Sequence, residues 1–488
     1  MHFSVRRSLA WMAVSQGGLI VLQFVTTVLV ARLLTPYDMG VFAVAIAIVS
    51  VISILRSLGL TNYLTRARTV DAQLVASVFT VNAVIATLIA LIIAACGVSG
   101  AWLLDEAGVR HVLLLLAVLP LINIFELIPS SLIERSGNFR IGALVSLTRG
   151  AVSYAITLVL AFQGHSYMSL AYGQVAGAVV AVALINIMSR DRFPIRFGLH
   201  DWRAILRYGL QVVAISGVNV FSLRFADILL GRVAGLAALG LYSRAAGFNA
   251  LLWDNVHLII GRIMFVDFAA KLRQGASLRE AYLTVVKLIT ALLWPAFAGI
   301  AVISGPLIVA LYGPAWTDAA APLSLLAMAS FLLVSVTMAG ELFVVREETA
   351  RQARFEFVRS AIGLSLFTAA CFVGLAYAAA ARAVEAAITV LIYFPHIARM
   401  TDTRTRDYVP IYRASLLLTA VAIAPAVATM AWYGWSPYAP FGAVCLAAAA
   451  GVVCWGAALA ATRHPLAAEA RTLLAPLFRK LRLGRAAG

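Results

Sequence analysis

Apolar stretches of about twenty residues recur along this chain, separated by short polar gaps. Their spacing predicts spans at 8–34, 39–60, 73–97, 111–133, 142–162, 167–188, 209–233, 237–263, 283–304, 320–344, 360–378, 383–399, 412–433 and 441–462. A helix needs about 20 apolar residues to cross a bilayer, so fourteen spans occupy roughly 280. The rest of the 488 residues leave short connections and no room for a soluble domain. The predicted fold class is an all-α polytopic membrane protein.

Positive charge falls in every second gap. Arg6 and Arg7 precede the first stretch. The gaps that follow in alternation carry Arg66 and Arg68; Arg135 and Arg140; Arg190, Arg192, Arg196, Arg203 and Arg207; Lys271, Arg273 and Arg279; Arg346, Arg351, Arg354 and Arg359; Arg399, Arg404, Arg406 and Arg413. The tail adds Arg463, Arg471, Arg479, Lys480, Arg482 and Arg485, while the intervening gaps hold only Arg32, Arg110, Arg232 and Arg382. Lys and Arg concentrate in cytoplasmic loops. The alternation therefore predicts a multi-pass protein of a bacterial inner membrane with both termini cytoplasmic. The run from Leu9 to Leu34 is too long for a signal-peptide core, and an uncleaved first span is expected.

Composition narrows the class further. An apolar share of 62% with 12% charged residues lies outside soluble composition. The net charge of +17 is then mostly topogenic, with some of it facing anionic lipid headgroups, and does not point to nucleic acid. Cys96, Cys371, Cys445 and Cys454 lack metal-ligand spacing or a disulfide framework.

The predicted organisation is a six-helix lobe (1–188), a cytoplasmic amphipathic linker (189–208), a second six-helix lobe (209–400), two extra spans (401–462) and a basic cytoplasmic tail (463–488). In the linker, Leu199, Trp202, Ile205 and Leu206 share one helical face and Arg203 and Arg207 the other, which predicts a short interfacial helix. Residues 30–45 align without gaps on 230–245, so that Arg32 meets Arg232, Gly40 meets Gly240 and Phe42 meets Tyr242. Both segments form the outside turn after the first helix of a unit. An even helix number makes the repeat parallel, and transporters built this way bind substrate between halves.

Ionisable residues predicted in or near spans are Arg56, Arg149, Arg224, Arg244, Arg262, Lys287, Glu126, Asp227, Asp254, Glu341 and Glu385. Each costs about 2.5–3.5 kcal/mol or more at mid-bilayer unless it meets a partner or a wet cavity. Snorkelling competes as the explanation for Arg56, Arg149, Arg262, Lys287 and Glu341. Arg224 and Asp227 share a helical face, with Asn219 a turn and a half below Arg224, while Arg244 and Asp254 lie inside the next span. This fits either a local ion pair or a hydrated wall for phosphate or acidic sugar, which suits the bidentate guanidinium. Gln16 and Gln23 share a face of the first span. Asn123 and Glu126 share one of the fourth, ahead of a kink expected at Pro129. Glu126 could bind a proton or cation, or join helices as a neutral carboxyl.

Enzymatic signals are missing. Outside loops stay under about twenty residues, short for a catalytic domain. Asp38, Asp105 and Asp318 form no spaced metal set, Asp105–Glu106 is a plain exposed pair, and GxxxxGK[ST] does not occur. No cofactor or metal is expected.

Three segments resemble the bacterial polysaccharide transporter family, the flippases of lipid-linked O-antigen and exopolysaccharide units: VARLLTPYDMGVFAVAIAIVSVISILRSLGL (30–60), NFRIGALVSLTRGAVSYAITLVLAFQGHSYMSLAYGQVAGAVV (138–180) and FADILLGRVAGLAALGLYSRA (225–245). The third carries Asp227, Gly231, Arg232, Gly235, Gly240 and Tyr242. Where the family often has a proline, this chain has Val266. The resemblance implies two six-helix lobes around a cavity, as in multidrug and toxin extrusion antiporters, plus two C-terminal helices. It also implies alternating access for a polyprenyl-pyrophosphate-linked oligosaccharide, with a polysaccharide polymerase and chain-length regulator as possible partners. On this reading Arg224, Arg244, Arg56, Arg149 and Asn219 hold phosphate or acidic sugar, and Asp227, Asp254 and Glu126 serve gating or ion coupling. The competing expectations are an ion-coupled multidrug antiporter, a peptidoglycan-precursor flippase, and a membrane glycosyltransferase, polymerase or ligase. The last would normally need a large outside loop or acidic metal ligands, and this chain has neither.

Overall fold

Helix lies within each of the fourteen predicted apolar stretches. The computed structural model describes residues 5–56, 59–67, 70–99, 106–189, 196–200 and 202–467. Among these, ten helical segments are long and apolar enough to cross a membrane, and no strand occurs. The chain gathers into two compact units, Met1–Ser243 and Arg244–Gly488.

The first unit holds α1 (Val5–Leu33), α2 (Pro36–Ile52), α3 (Leu60–Arg66), α4 (Ala72–Ser99), α5 (Ala107–Leu116), α6 (Val118–Ile122), α7 (Leu127–Arg135), α8 (Phe139–Phe162), α9 (Met168–Met188), α10 (Trp202–Val233) and the start of α11 (Leu236–Arg273). The TPYDMG turn begins α2 for local reasons. Thr35 accepts from Asp38 N–H at 3.2 Å, Asp38 accepts from Thr35 N–H at 2.9 Å, and Pro36 fills the first helical position. Together they make a capping box with a pre-set φ. Asp38 also accepts from the Ser166 hydroxyl, so this acid fastens helix ends together.

The fourth stretch is interrupted by a 3₁₀ turn at Asn123–Phe125, ahead of Pro129 in the first turn of α7. Proline has no N–H to offer the carbonyl four residues back, which belongs to Phe125. Asn186 donates to that carbonyl at 3.0 Å, and Asn82 to the Ile124 carbonyl at 3.3 Å. Backbone at membrane depth requires such substitutes, because lipid offers none.

Two glycines set the α8–α9 approach. A Cβ at Gly173 would meet Thr157 Oγ1 at 2.0 Å, and one at Gly177 would meet the Arg149 carbonyl at 2.8 Å. This is close packing through small residues four apart. At the α2–α11 contact the same device appears reciprocally. A Cβ at Gly40 would lie 1.8 Å from the Leu236 carbonyl, and one at Gly240 would lie 1.8 Å from the Pro36 carbonyl.

The linker differs from expectation. Gly198 N–H donates to Thr80 Oγ1 of α4 at 2.9 Å, and α10 then runs from Trp202 to Val233 without a break. The predicted interfacial helix is thus the first turns of α10. Ile205 is buried and Leu206 half-buried against Leu60, Leu64 and Val78, while Arg203 and Arg207 stay exposed. Because α10 packs on α2, contacts group it with the preceding helices, whereas the sequence repeat predicts a division at 189–208. α11 also passes unbroken through Val266.

The second unit continues with α12 (Arg279–Tyr312), α13 (Ala320–Leu333), α14 (Ala339–Val345), α15 (Thr349–Cys371), α16 (Leu375–Thr401), α17 (Thr405–Trp432) and α18 (Phe441–Ala461). Its core is aromatic: Tyr282, Trp294, Phe297, Phe343, Tyr393 and Tyr408 are buried together. A 3₁₀ turn at Val334–Val336 separates α13 from α14, the counterpart of the break in the first unit. Here Tyr412 donates to the Ser335 carbonyl at 2.8 Å and Tyr282 to the Thr337 carbonyl at 3.0 Å. Some arginines predicted as loop charge also cap backbone. Arg135 reaches the Leu64, Thr65 and Ala67 carbonyls, and Arg346 reaches that of Met400.

Gly173→Ala is expected to destabilise the protein by about 1–3 kcal/mol through overpacking. Gly142→Ala on α8, where an added Cβ meets nothing within 4 Å, should be neutral or stabilising by up to about 1 kcal/mol. Thermal unfolding of the detergent-solubilised variants measures both.

Candidate functional site

Three of the sequence-predicted residues come together in the first unit. Arg56 ends a 3₁₀ turn at Ser53–Arg56 that closes α2. Glu126 follows the 3₁₀ turn of the fourth stretch, and Arg149 projects from α8. Arg149 donates to Glu126 at 3.0 and 3.4 Å and to Asn123 Oδ1 at 3.3 Å. Arg56 lies within electrostatic range of both Glu126 and Arg149. The cluster holds two guanidiniums and one carboxylate, a net positive charge inside a helical unit. Arg149 is 38% and Glu126 16% exposed. At membrane depth such exposed charges are tolerated where they face protein or water rather than hydrocarbon.

On α10, Arg224 donates to Asp227 at 3.2 Å, with side chains 44% and 23% exposed. The local ion pair is formed, and it is too open to hold the fold by itself. Arg244 is half-buried in the second unit, close to Tyr312. Gln16, Asn219, Asp254 and Arg262 sit on helices, but their side chains lie outside the described residues. So do Asp105 and the tail beyond residue 467.

The second unit contains a charge network that the sequence did not reveal. Glu385 accepts from Arg359 at 2.8 Å and from Arg382 at 2.7 Å. Arg359 also donates to Glu356, which accepts from Tyr393 at 2.6 Å. Arg382 lies 4.5 Å from the centroid of the Phe367 ring. The expectation that Arg359 and Arg382 occupy loops is corrected. α15 ends at Cys371 and turns at Gly374, some residues before the predicted gap, so both arginines lie within helices. Hydropathy shifts the predicted span away from charges, and mutual neutralisation makes that shift unnecessary. Gly363 gives Glu385 its room, since a Cβ there would lie 2.3 Å from the carboxyl carbon. The signal available in sequence was the Arg382–Glu385 spacing, three apart on one face.

Arg149 and Arg359 are counterparts, each on the helix that follows the interrupted stretch of its unit. Their surroundings differ. The side chains of Arg359, Arg382 and Glu385 are only 22%, 17% and 9% exposed, so the second unit's cluster is closed while the first unit's is reachable. An apolar cavity of about 320 Å³ lies between α12, α17 and α18, lined by Pro295, Gly299, Ile303, Ala426, Gly451 and Trp455. It offers room for hydrocarbon and no headgroup chemistry.

A family model described as polysaccharide biosynthesis protein matches residues 29–321. The succinoglycan biosynthesis transport protein ExoT of Rhizobium meliloti is 26% identical over 330 residues, covering 68% of this chain and 67% of that protein. The lipopolysaccharide biosynthesis protein WzxC of Escherichia coli is 21% identical over 416 residues, covering 82% of each. Among solved structures, the lipid II flippase MurJ in an inward closed conformation aligns with a TM-score of 0.74 at 12% identity, covering 96% of this chain and 99% of that one. An inward-facing multidrug resistance MATE family transporter of the MOP superfamily aligns at 0.65 and 15% identity, covering 79% and 96%. The fold is therefore that of these transporters.

Glu385→Ala should cost about 3–5 kcal/mol, the price of stripping the carboxylate from a buried pair. Loss of thermal stability in detergent, together with a fall in membrane protein level, checks this.

Proposed function

The chain belongs to the polysaccharide biosynthesis protein family, and on that footing we propose that it is a flippase for polyprenyl-pyrophosphate-linked oligosaccharide units. It moves them across the bacterial inner membrane for surface or secreted polysaccharide, by alternating access and without catalysing a covalent step. The observation that carries the substrate half of this reading is the Arg56–Glu126–Arg149 cluster, two guanidiniums against one carboxylate, partly exposed. A pyrophosphate needs that excess of fork-shaped donors. The glycan and pyrophosphate enter the polar interior while the polyprenyl tail remains in lipid.

The transport roles of the relatives named above support the reading, and the alternation of arginines favours cytoplasmic termini. Arg224, Arg244 and Asn219 add polar groups for phosphate or acidic sugar, and Asp227 and Asp254 serve gating or ion coupling. A polymerase and a chain-length regulator would receive the unit on the far side. The six-plus-six-plus-two division, with lobes at 1–188 and 209–400, is supported by the matching breaks at Asn123–Phe125 and Val334–Val336. The likeness in fold to the lipid II flippase favours one second reading, a peptidoglycan-precursor flippase, whose substrate carries the same pyrophosphate.

In a strain lacking this protein, polymer should disappear from the surface while intact lipid-linked units accumulate on the cytoplasmic leaflet. Arg56→Ala and Arg149→Ala, at normal protein level, should reproduce the block in part. An arginine that merely anchors its helix leaves export unchanged when replaced. Normal polymer, or units already displayed outside, moves a multidrug antiporter to first place. Accumulation of peptidoglycan precursor instead would establish the second reading.

A further inference from the structure

The inference rests on the flippase reading and concerns what Arg149 does when no substrate is present. Its guanidinium is already engaged: Glu126 accepts at 3.0 and 3.4 Å, and Asn123 Oδ1 at 3.3 Å. A carboxylate and a phosphate present similar oxygen pairs to a guanidinium fork. Glu126 therefore covers part of the donor face that a pyrophosphate would use. Both Glu126 oxygens take Nη1 and Asn123 takes Nη2, so a pyrophosphate gains the full fork only by displacing them.

The comparison between units shows why this pair, and not the other, can exchange partners. In the second unit Glu385 is held by two arginines at once and is nearly closed off, at 9% exposure. In the first unit Glu126 has a hydrogen bond from one arginine, and that arginine is 38% exposed. Arg56 stands in range of both. An incoming pyrophosphate carries more than one negative charge and is attracted by Arg149 and Arg56 together. The single carboxylate cannot match that. Glu126 also follows directly on the 3₁₀ turn at Asn123–Phe125, outside an uninterrupted helix.

We infer that Glu126 is an internal stand-in for the substrate's phosphate. In the empty protein it neutralises Arg149. The pyrophosphate displaces it on entry, and its return to Arg149 helps expel the pyrophosphate on the far side. Affinity is thereby held down to a level from which release is possible. No bond is made or broken; one anion replaces another on the same guanidinium.

The test measures binding of undecaprenyl pyrophosphate to the full-length protein in nanodiscs, with inorganic pyrophosphate as the tail-free probe. Glu126→Gln keeps the shape and removes the charge, and should bind about tenfold more tightly than wild type, equivalent to about 1.4 kcal/mol. Glu126→Asp keeps the charge but shortens the reach, and should give a smaller gain; it also serves if the Gln variant folds poorly. Arg149→Ala should weaken binding. The double variant Glu126→Gln/Arg149→Ala should bind no better than Arg149→Ala alone, since Glu126 acts through that arginine. Glu280→Gln makes the same charge change at an exposed position on α12 and should leave affinity unmoved. In cells, Glu126→Gln should slow export at normal protein level.

If wild type binds the lipid pyrophosphate and both Glu126 variants bind equally or less well, the stand-in role is overturned and the flippase reading survives. A gain in the double variant as large as in Glu126→Gln alone would overturn it too. If neither wild type nor any variant binds a pyrophosphate, both readings fall together.

Discussion

Water is absent from the hydrocarbon core, so any group that an apolar helix does not satisfy must bring its own partner. Each departure from a plain apolar helix described here meets that constraint in a specific way. The broken turn at Asn123–Phe125 has its neighbouring carbonyls bonded by Asn82 and Asn186. The break at Val334–Val336 is bonded by the Tyr282 and Tyr412 hydroxyls. The Glu385 carboxylate has two arginines. The two units solve one problem at equivalent places with different chemistry, amides in one and phenols in the other.

That constraint also explains what could be foreseen. Long apolar stretches and alternating arginines follow from the membrane itself, so the helices could be placed from residue order. The partners of the interruptions could not. Asn82 lies in α4 and Asn186 in α9, and nothing in either local stretch indicates which carbonyl it serves. The same holds for Arg359 and Arg382, whose charges look like loop charges until Glu385 is brought between them. Boundaries failed where charge is neutralised inside a helix, and at α10, where the amphipathic start and the apolar continuation form one rod. At the site, the grouping of Arg56 and Arg149 with Glu126 was not visible, because they come from three separate stretches. The Arg224–Asp227 pair was visible, since both residues lie on one helix face.

The two charged clusters also divide the work of electrostatics. A closed network such as that around Glu385 ties α15 to α16 and has little to offer a ligand. Its value is registry, since Gly363 admits the carboxyl in one place only. The cluster at Arg149 ties helices too, but with an edge left exposed. Its position beside an interrupted helix matters, because Glu126 sits where the 3₁₀ turn at Asn123–Phe125 passes into α7 rather than within one continuous α-helix. Rigidity and accessibility are thus allotted to counterpart arginines in different units.

The glycine contact at the start of α2 has a form that reaches beyond packing. Gly40 rests on the Leu236 carbonyl, and Gly240 rests on the Pro36 carbonyl. Each contact is the other with 200 added to one residue number and taken from its partner. Mutual exchange of this kind is what a two-fold symmetric homodimer shows at its axis. One polypeptide here carries both faces of an interface that two identical subunits would share. A side chain gained at either glycine would have no matching copy to compensate it, so the contact constrains both positions at once.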